Sequence, residues 1–157
     1  LKPLINRIIN KRFKSFIADG DLITEDTPDE SLHKLRIKGK KFRYLLEFFR
    51  AFYNRTEVDL FLKHMKKLQD NLGDFNDLSV QIDMLEQTLS KLKARNKQTL
   101  LLAASLGSLI TSLKSTHGQT RSKFKQTYDS FCVPENKELI KIMTSSDKER
   151  SAAERKK

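Results

Sequence analysis

The stretch LHKLRIKGKKFRYLLEFFR, residues 32–50, decides how this chain folds. Between Ser31 and Asn54 stand seven Lys or Arg residues and a single acid, Glu47, with bulky apolar residues interleaved throughout. A solvated basic tail has no use for the Phe and Leu, and an ordinary core helix does not tolerate the charge. The segment is introduced by TPDE, in which Thr27 is placed to cap, Pro28 to take the first helical position and Glu30 to complete a capping box. The helix is expected to last to Tyr53 or Asn54. On a wheel of about 100° per residue, Leu35, Phe42, Leu46, Phe49 and Tyr53 fall on one apolar arc and Ile37, Tyr44 and Phe48 on a second. Between the arcs runs a stripe of His33, Arg36, Lys40, Arg43, Glu47 and Arg50, while Lys34, Lys38 and Lys41 lie on the other side and read as a solvated back.

Apolar residues along both edges of the stripe predict neighbouring helices on both sides, so that it floors a groove. Like charges at i, i+3 and i+4 repel by about 0.2–0.5 kcal/mol per pair. An anion visiting the groove offsets that repulsion. Structural ion pairing is the competing account, because Asp70, Asp74 and Asp77 share a face of the next helix, continued by Lys63 and Lys67. The two accounts are compatible if the acids hold the Arg forks while spare N–H donors point into the groove.

Outward from this segment, apolar spacing predicts three more helices. The first runs from Pro3 to Ala18 on Leu4, Ile5, Ile8, Ile9, Phe13, Phe16 and Ile17, with Gly20 as its stop. The third follows Asn54, with Thr56 as cap, on a seam from Val58 through Phe61, Met65, Leu68, Leu72 and Phe75 to Leu89. That seam keeps phase across Gly73, which predicts one helix to Leu92; a break at Gly73 is the alternative, since Gly costs only about 1 kcal/mol in a helix. The fourth runs from Asn96 to Phe131 on Leu102, Leu106, Leu109, Ile110, Leu113, His117, Phe124 and Tyr128, with a bend at THGQT, residues 116–120. The expected fold is all-α, a four-helix bundle of long antiparallel helices over residues 1–133. Residues 134–157 read as a basic, disordered tail that at most begins as a short helix.

Composition narrows the function classes. The 157 residues hold 31 Lys or Arg against 20 Asp or Glu, a formal net charge of +11, with only five Gly and three Pro. That poverty of turn formers favours long helices, and the charge favours a polyanionic partner. Cys132 is the only cysteine, which fits a reduced, cytoplasmic setting without disulfides. No apolar run is long enough to span a membrane. The start, without Met or a cleavable signal, reads as that of a piece of a longer protein. His33, His64 and His117 are isolated in sequence, with no metal-ligand spacing, no Gly-rich phosphate loop and no nucleophile in a recognisable context. No metal, cofactor or catalysis is therefore expected. His33 suits either a donor to phosphate or a cap on the first turn.

The motif SLHKLRIKGKKFRYLLEFF, followed by FLKHMKKLQDNLGDFNDLSV, resembles the CHAD family, the conserved-histidine α-helical domain. Leu32, His33, Leu35, Arg36, Ile37, Lys40, Lys41, Phe42, Arg43 and Tyr44 fill its first pattern, and Lys67, Leu68, Gln69, Leu72, Gly73, Asp74, Asn76 and Asp77 its second. The resemblance implies two similar four-helix halves around a basic pore that binds inorganic polyphosphate without catalysis. This chain carries one motif pair, most like the second half of that two-fold pseudo-symmetric domain. By position, His33, Arg36, Lys40, Lys41, Arg43 and Tyr44 belong to the ligand helix, Lys63 and Lys67 add charge, and Asp74 and Asp77 brace the arginines. The wheel, however, turns Lys41 away from the Arg36/Arg43 stripe. The partners implied are polyphosphate and either a second copy of the chain or the absent first half, in a cytoplasm where polyphosphate granules form. A nucleic-acid-binding helical domain and an accessory module of a phosphate-metabolising enzyme are the alternatives; nucleic acid is disfavoured because the aromatics sit on packed faces.

Overall fold

The computed structural model describes residues 1–145, which form helices and no strand. In chain order these are α1 (Lys2–Asp21), α2 (Asp29–Phe48), a 3₁₀ turn (Arg50–Phe52), α3 (Arg55–Lys91), α4 (Lys97–Ser122), α5 (Phe124–Phe131) and α6 (Pro134–Thr144). The chain divides into two units. The first holds Leu1–Asp70 and, of the described residues, 125–145; the second is Asn71–Phe124.

The first unit is built on aromatic packing. Ile5, Ile9, Phe13 and Phe16 of α1, Leu32, Leu35, Phe42 and Leu46 of α2, and Val58, Phe61, Met65 and Leu68 of α3 are all buried. Phe13, Phe42 and Phe61 form a triangle with ring centroids 5.8–5.9 Å apart, and Phe61 reaches Phe131 of α5 at 5.6 Å. Such ring pairs add about 0.5–1.5 kcal/mol each beyond their buried area. Gly39 lets α2 approach closely: a Cβ there would lie 3.1 Å from Phe16 and 3.4 Å from Met65. Since Phe42 also meets Phe61, α2 and α3 run antiparallel, with Lys63 near the level of Lys40 and Lys67 near that of Arg36.

Several expected boundaries move, each for a local reason. Gly20 does not stop α1, which continues to Asp21; Gly20 is buried there because the Tyr128 ring lies where its Cβ would be. The Tyr128 hydroxyl then donates to Ile17 O at 2.7 Å or Asp21 at 2.8 Å. Leu4 and Ile8, expected on the apolar face, are exposed. Thr27 does not cap α2, because its Oγ1 accepts from Thr24 N in the preceding turn, and Pro28 takes the cap position without a side-chain bond. The second helix ends at Phe48, and the chain tightens into the 3₁₀ turn whose Arg50 pairs with Asp59 on α3. Asn54, not Thr56, caps α3, its Oδ1 accepting from Thr56 N at 2.9 Å and Glu57 N at 3.3 Å. The helix runs unbroken through Gly73, as the seam predicts.

Over residues 134–144 the tail is not disordered: the short helix that the sequence allowed forms, and it packs. These form α6, which starts at Pro134 and buries Asn136, Ile140 and Met143. Asn136 donates to Phe131 O at 2.7 Å and accepts from His64 Nδ1 at 2.6 Å. Asn6 and Asn10 of α1 hold the other end through Thr144, both at 2.9 Å. The buried face of α6 is two apolar residues and one asparagine, too short a pattern for spacing alone to show that the helix packs. Residues 146–157, the rest of the expected disordered tail, lie outside the described residues.

In the second unit the C-terminal part of α3 and α4 form an antiparallel hairpin. Asn71 donates to Thr120 O at 2.9 Å, His117 stacks on Phe75 at 4.3 Å and meets Ser79 at 2.8 Å, and Glu86 pairs with Lys114. Asn96 and Thr99 close a reciprocal capping box at the start of α4. The expected single fourth helix is broken at Lys123, not bent at residues 116–120. No described helix is long and apolar enough to cross a membrane.

Candidate functional site

The basic stripe of α2 lies in the first unit, together with Lys63 and Lys67 of α3. Leu35, Phe42 and Leu46 are buried, as predicted. The second arc is not: Ile37 is 48%, Tyr44 49% and Phe48 80% exposed. The wheel gives the reason. Ile37, Tyr44 and Phe48 point nearly opposite to Leu35, Phe42 and Leu46, so they cannot share a packed flank with them. The expected groove with two packed walls is corrected to an outward face, with the core along one edge only.

On this face His33, Arg36, Lys40 and Arg43 are half-buried, and Lys41 is exposed. Tyr44 organises its neighbours, with the Arg43 guanidinium carbon 4.9 Å and the Lys40 ammonium 5.9 Å from its ring centroid. Each contact favours a cation over the ring face. Arg43 Nε lies 3.5 Å from Glu47, too far for a hydrogen bond, and is otherwise a buried donor without a partner. Arg36, Lys40, Lys41, Lys63 and Lys67 have no carboxylate partner among the described residues. His33 stands in the second turn of α2, past the backbone donors it would have to reach to cap the helix.

Other cations of the same helices are neutralised. Lys34 pairs with Glu30 at 2.8 Å, holding that carboxyl below its usual range through a hydrogen bond and its charge. Lys38 is not on a solvated back as expected. It reaches α1, pairing with Asp19 and donating to Ser15 at 3.0 Å. Lys66 pairs with Asp70 at 2.5 Å. Glu30, Asp19 and Asp70 are thus taken by Lys34, Lys38 and Lys66, and among the described residues Glu47 is the one acid left beside the Arg36/Lys40/Arg43 face. Asp74 and Asp77, expected to brace the arginines, belong to the second unit, where Asp77 accepts from Asn76 at 3.3 Å.

One basic row escaped the sequence reading. Arg7, Lys11, Arg12 and Lys14 on α1 are exposed and also lack carboxylate partners among the described residues. Their signal is four cations within eight residues, on a helix whose spacing is dominated by its apolar face. They differ from Arg36, Lys40 and Arg43 in being exposed where those are half-buried. A cleft of about 320 Å³ on α1 and α6, lined by Phe13, Ile17, Ala18 and Ile140, holds none of the α2 or α3 residues. Among the described residues no group of three His, Cys, Asp or Glu is placed to hold a metal ion.

A search of curated proteins returns no match to this sequence. A family model described as the CHAD domain matches residues 1–86, which include the whole of α1 and α2, the basic face and most of α3. More than half of the chain is matched, and the chain belongs to the CHAD family.

Proposed function

We propose that the protein binds inorganic polyphosphate, without catalysis, through the outward face of α2 and the adjoining lysines of α3. The observation that carries this reading is the half-buried, uncompensated charge of Arg36 and Lys40, beside the unbonded Nε of Arg43. A cation that loses part of its hydration without gaining a partner raises the energy of the free protein. A flexible chain of phosphates restores the lost interactions with many acceptor oxygens. Arg36 and Arg43 offer forked N–H donors, while Lys40, Lys41, Lys63 and Lys67 act as point charges along the chain. His33 supplies a further ring donor. Tyr44 fixes the direction of Lys40 and Arg43.

Membership of the CHAD family, which is associated with polyphosphate binding and is generally a non-catalytic binding domain, supports the same reading. A cytoplasmic place beside polyphosphate granules belongs to this proposal, as does a covering half-domain or second copy over the Ile37–Tyr44–Phe48 strip. Nucleic acid is the second reading, favoured by the net charge and by Tyr44 and Phe48, which are exposed beside the basic face and not packed as expected. Competition separates the two. Long-chain polyphosphate is titrated at near-physiological salt against duplex DNA and single-stranded RNA of matched charge. Polyphosphate is expected to win by orders of magnitude, and Arg36→Ala to remove the preference. Equal binding of all three polyanions, erased equally by salt, would leave the α2 face as basic surface only.

A further inference from the structure

The α3–α4 hairpin carries charge and apolar surface in an arrangement that the polyphosphate reading does not use. Residues 71–90 contain four acids, Asp74, Asp77, Asp83 and Glu86, and no Lys or Arg. Residues 91–97, at the tip, contain four cations, Lys91, Lys93, Arg95 and Lys97, and no acid. Of these eight groups only Glu86 has an ion-pair partner among the described residues, Lys114. The hairpin is therefore negative along its shaft and positive at its tip.

Its apolar surface is uncovered as well. From residue 98 to residue 120 a single charged side chain, Lys114, interrupts α4, and Ile110 is the only buried residue of the helix. Leu101, Leu102 and Leu109 are 59%, 49% and 47% exposed, and Leu106 and Leu113 are half-buried. Leu102, Leu106, Leu109 and Leu113 repeat at 4-3-4 spacing, the seam of a helix that packs along another helix. Ser105, Gly107, Ser108 and Ser112 interleave them, and a Cβ at Gly107 would meet nothing within 4 Å. A surface helix of an isolated hairpin carries charge on its outer side. This one carries leucine and serine.

We propose that α4 packs antiparallel against α4 of a second copy of this chain, turning two hairpins into a four-helix bundle. The charge pattern selects this occupant. A two-fold axis midway between Leu106 and Leu109 sets Leu106 of one copy opposite Leu109 of the other and Leu102 opposite Leu113. Lys97 then falls opposite Gly118, about ten residues or about 16 Å from the axis on either helix. Within each hairpin, contacts of Asn71 with Thr120 and of Ser79 with His117 place residues 71–79 of α3 at that same level. The positive tip of each copy thus arrives beside Asp74 and Asp77 of the other. A parallel pairing would set tip on tip and shaft on shaft, with like charges opposed at both ends. This pairing does not rest on polyphosphate binding and uses none of its residues.

The test is light scattering and sedimentation of the whole chain, without any polyanion, across a wide range of protein concentration. A dimer is expected, and Leu102→Glu/Leu109→Glu is expected to be monomeric with an unchanged helical spectrum, both sites being exposed. Lys93→Glu/Arg95→Glu should raise the dimer dissociation constant by about tenfold or more. Adding Asp74→Lys/Asp77→Lys to that variant should restore it, which a change in general solubility would not do. A chain that stays monomeric at the highest concentrations, as it would if another protein covered α4, overturns the proposal. So does a charge-swapped variant that remains as weak as the first.

Discussion

The electrostatic reading of the α2 face makes a quantitative statement about salt. Five cations on α2 and α3, Arg36, Lys40, Lys41, Lys63 and Lys67, have no carboxylate partner among the described residues and are available to phosphate. Each phosphate charge neutralised on a single-stranded polyanion releases condensed counterions and contributes about −0.7 to the slope of log K against log salt. Five contacts give a slope of about −3.5, so a fourfold rise in salt weakens binding by about 100-fold. Arg36→Ala removes one contact and should move the slope to about −2.8. Lys38→Ala should leave the slope unchanged, because Lys38 is already held by Asp19 and Ser15. Lys66→Ala should behave likewise, given its pair with Asp70.

Fluorescence anisotropy of labelled long-chain polyphosphate, titrated at four or more salt concentrations for each variant, reads these slopes directly. The comparison with Lys11→Ala and Arg12→Ala is the discriminating one, since those residues are equally unpaired but lie on α1 and are exposed. If binding is localised on α2, they change the slope far less than Arg36→Ala. Equal slopes for Arg36→Ala and the unaltered protein would refute the argument, and so would equal losses at Lys38, Lys66, Lys11 and Arg36. Either result would mean that net charge alone, not a built face, holds the anion.

Two predictions concern the framework behind that face. Gly20→Ala places a Cβ on the Tyr128 ring, 2.7 Å from its hydroxyl oxygen; overpacking of about 1–3 kcal/mol outweighs the helix preference of Ala, about 1 kcal/mol. A lowered urea midpoint is expected, and an unchanged or raised midpoint would show that Tyr128 moves aside freely. Burial pushes the Tyr128 hydroxyl and the Cys132 thiol above their ordinary pKa values. Both groups are neutral when protonated, so the unfolded chain loses these protons first as pH rises. Stability from this source is full below the thiol's unfolded value of about 8.5 and falls as pH climbs beyond it and past about 10. Urea unfolding between neutral and alkaline pH should show that fall, and Tyr128→Phe/Cys132→Ala should flatten it; an equal fall in the double variant would assign the effect elsewhere.

The long apolar seams were legible because they repeat over many turns. Val58 through Leu68 and Leu35 through Leu46 are buried as their spacing requires, and Gly73 sits in an unbroken helix. What the spacing hid were choices made by single side chains. Thr27 had a partner nearer than the helix, in the Thr24 backbone, and Asn54 was better placed than Thr56 to cap. Gly20 looked like punctuation because its reason, the Tyr128 ring, lies more than a hundred residues away in sequence. The site shows the same division. The positions of Arg36, Lys40 and Arg43 on one side of α2 follow from periodicity, but the wheel alone does not say which cations meet an acid. Lys38 and Lys41 looked alike in sequence, yet one is pinned to α1 and the other is exposed.

That distinction changes how the net charge of +11 should be read. If the excess were spread evenly, acids would be scattered among the cations and most lysines would have a neighbour to pair with. Instead Asp19 and Asp59 are committed to Lys38 and Arg50, and Glu30 to the first turn of α2. The acids of residues 71–90 lie in the other unit. Charge is segregated along the chain at the scale of single helices, at a cost in self-repulsion that no packing contact recovers. Two different devices follow from one rule. Where half-buried cations stand without acids, as on α2, a mobile polyanion completes the set. Where positive and negative blocks lie apart on one uncovered hairpin, as at the tip and shaft of α3 and α4, the complement of each block is the same hairpin turned around.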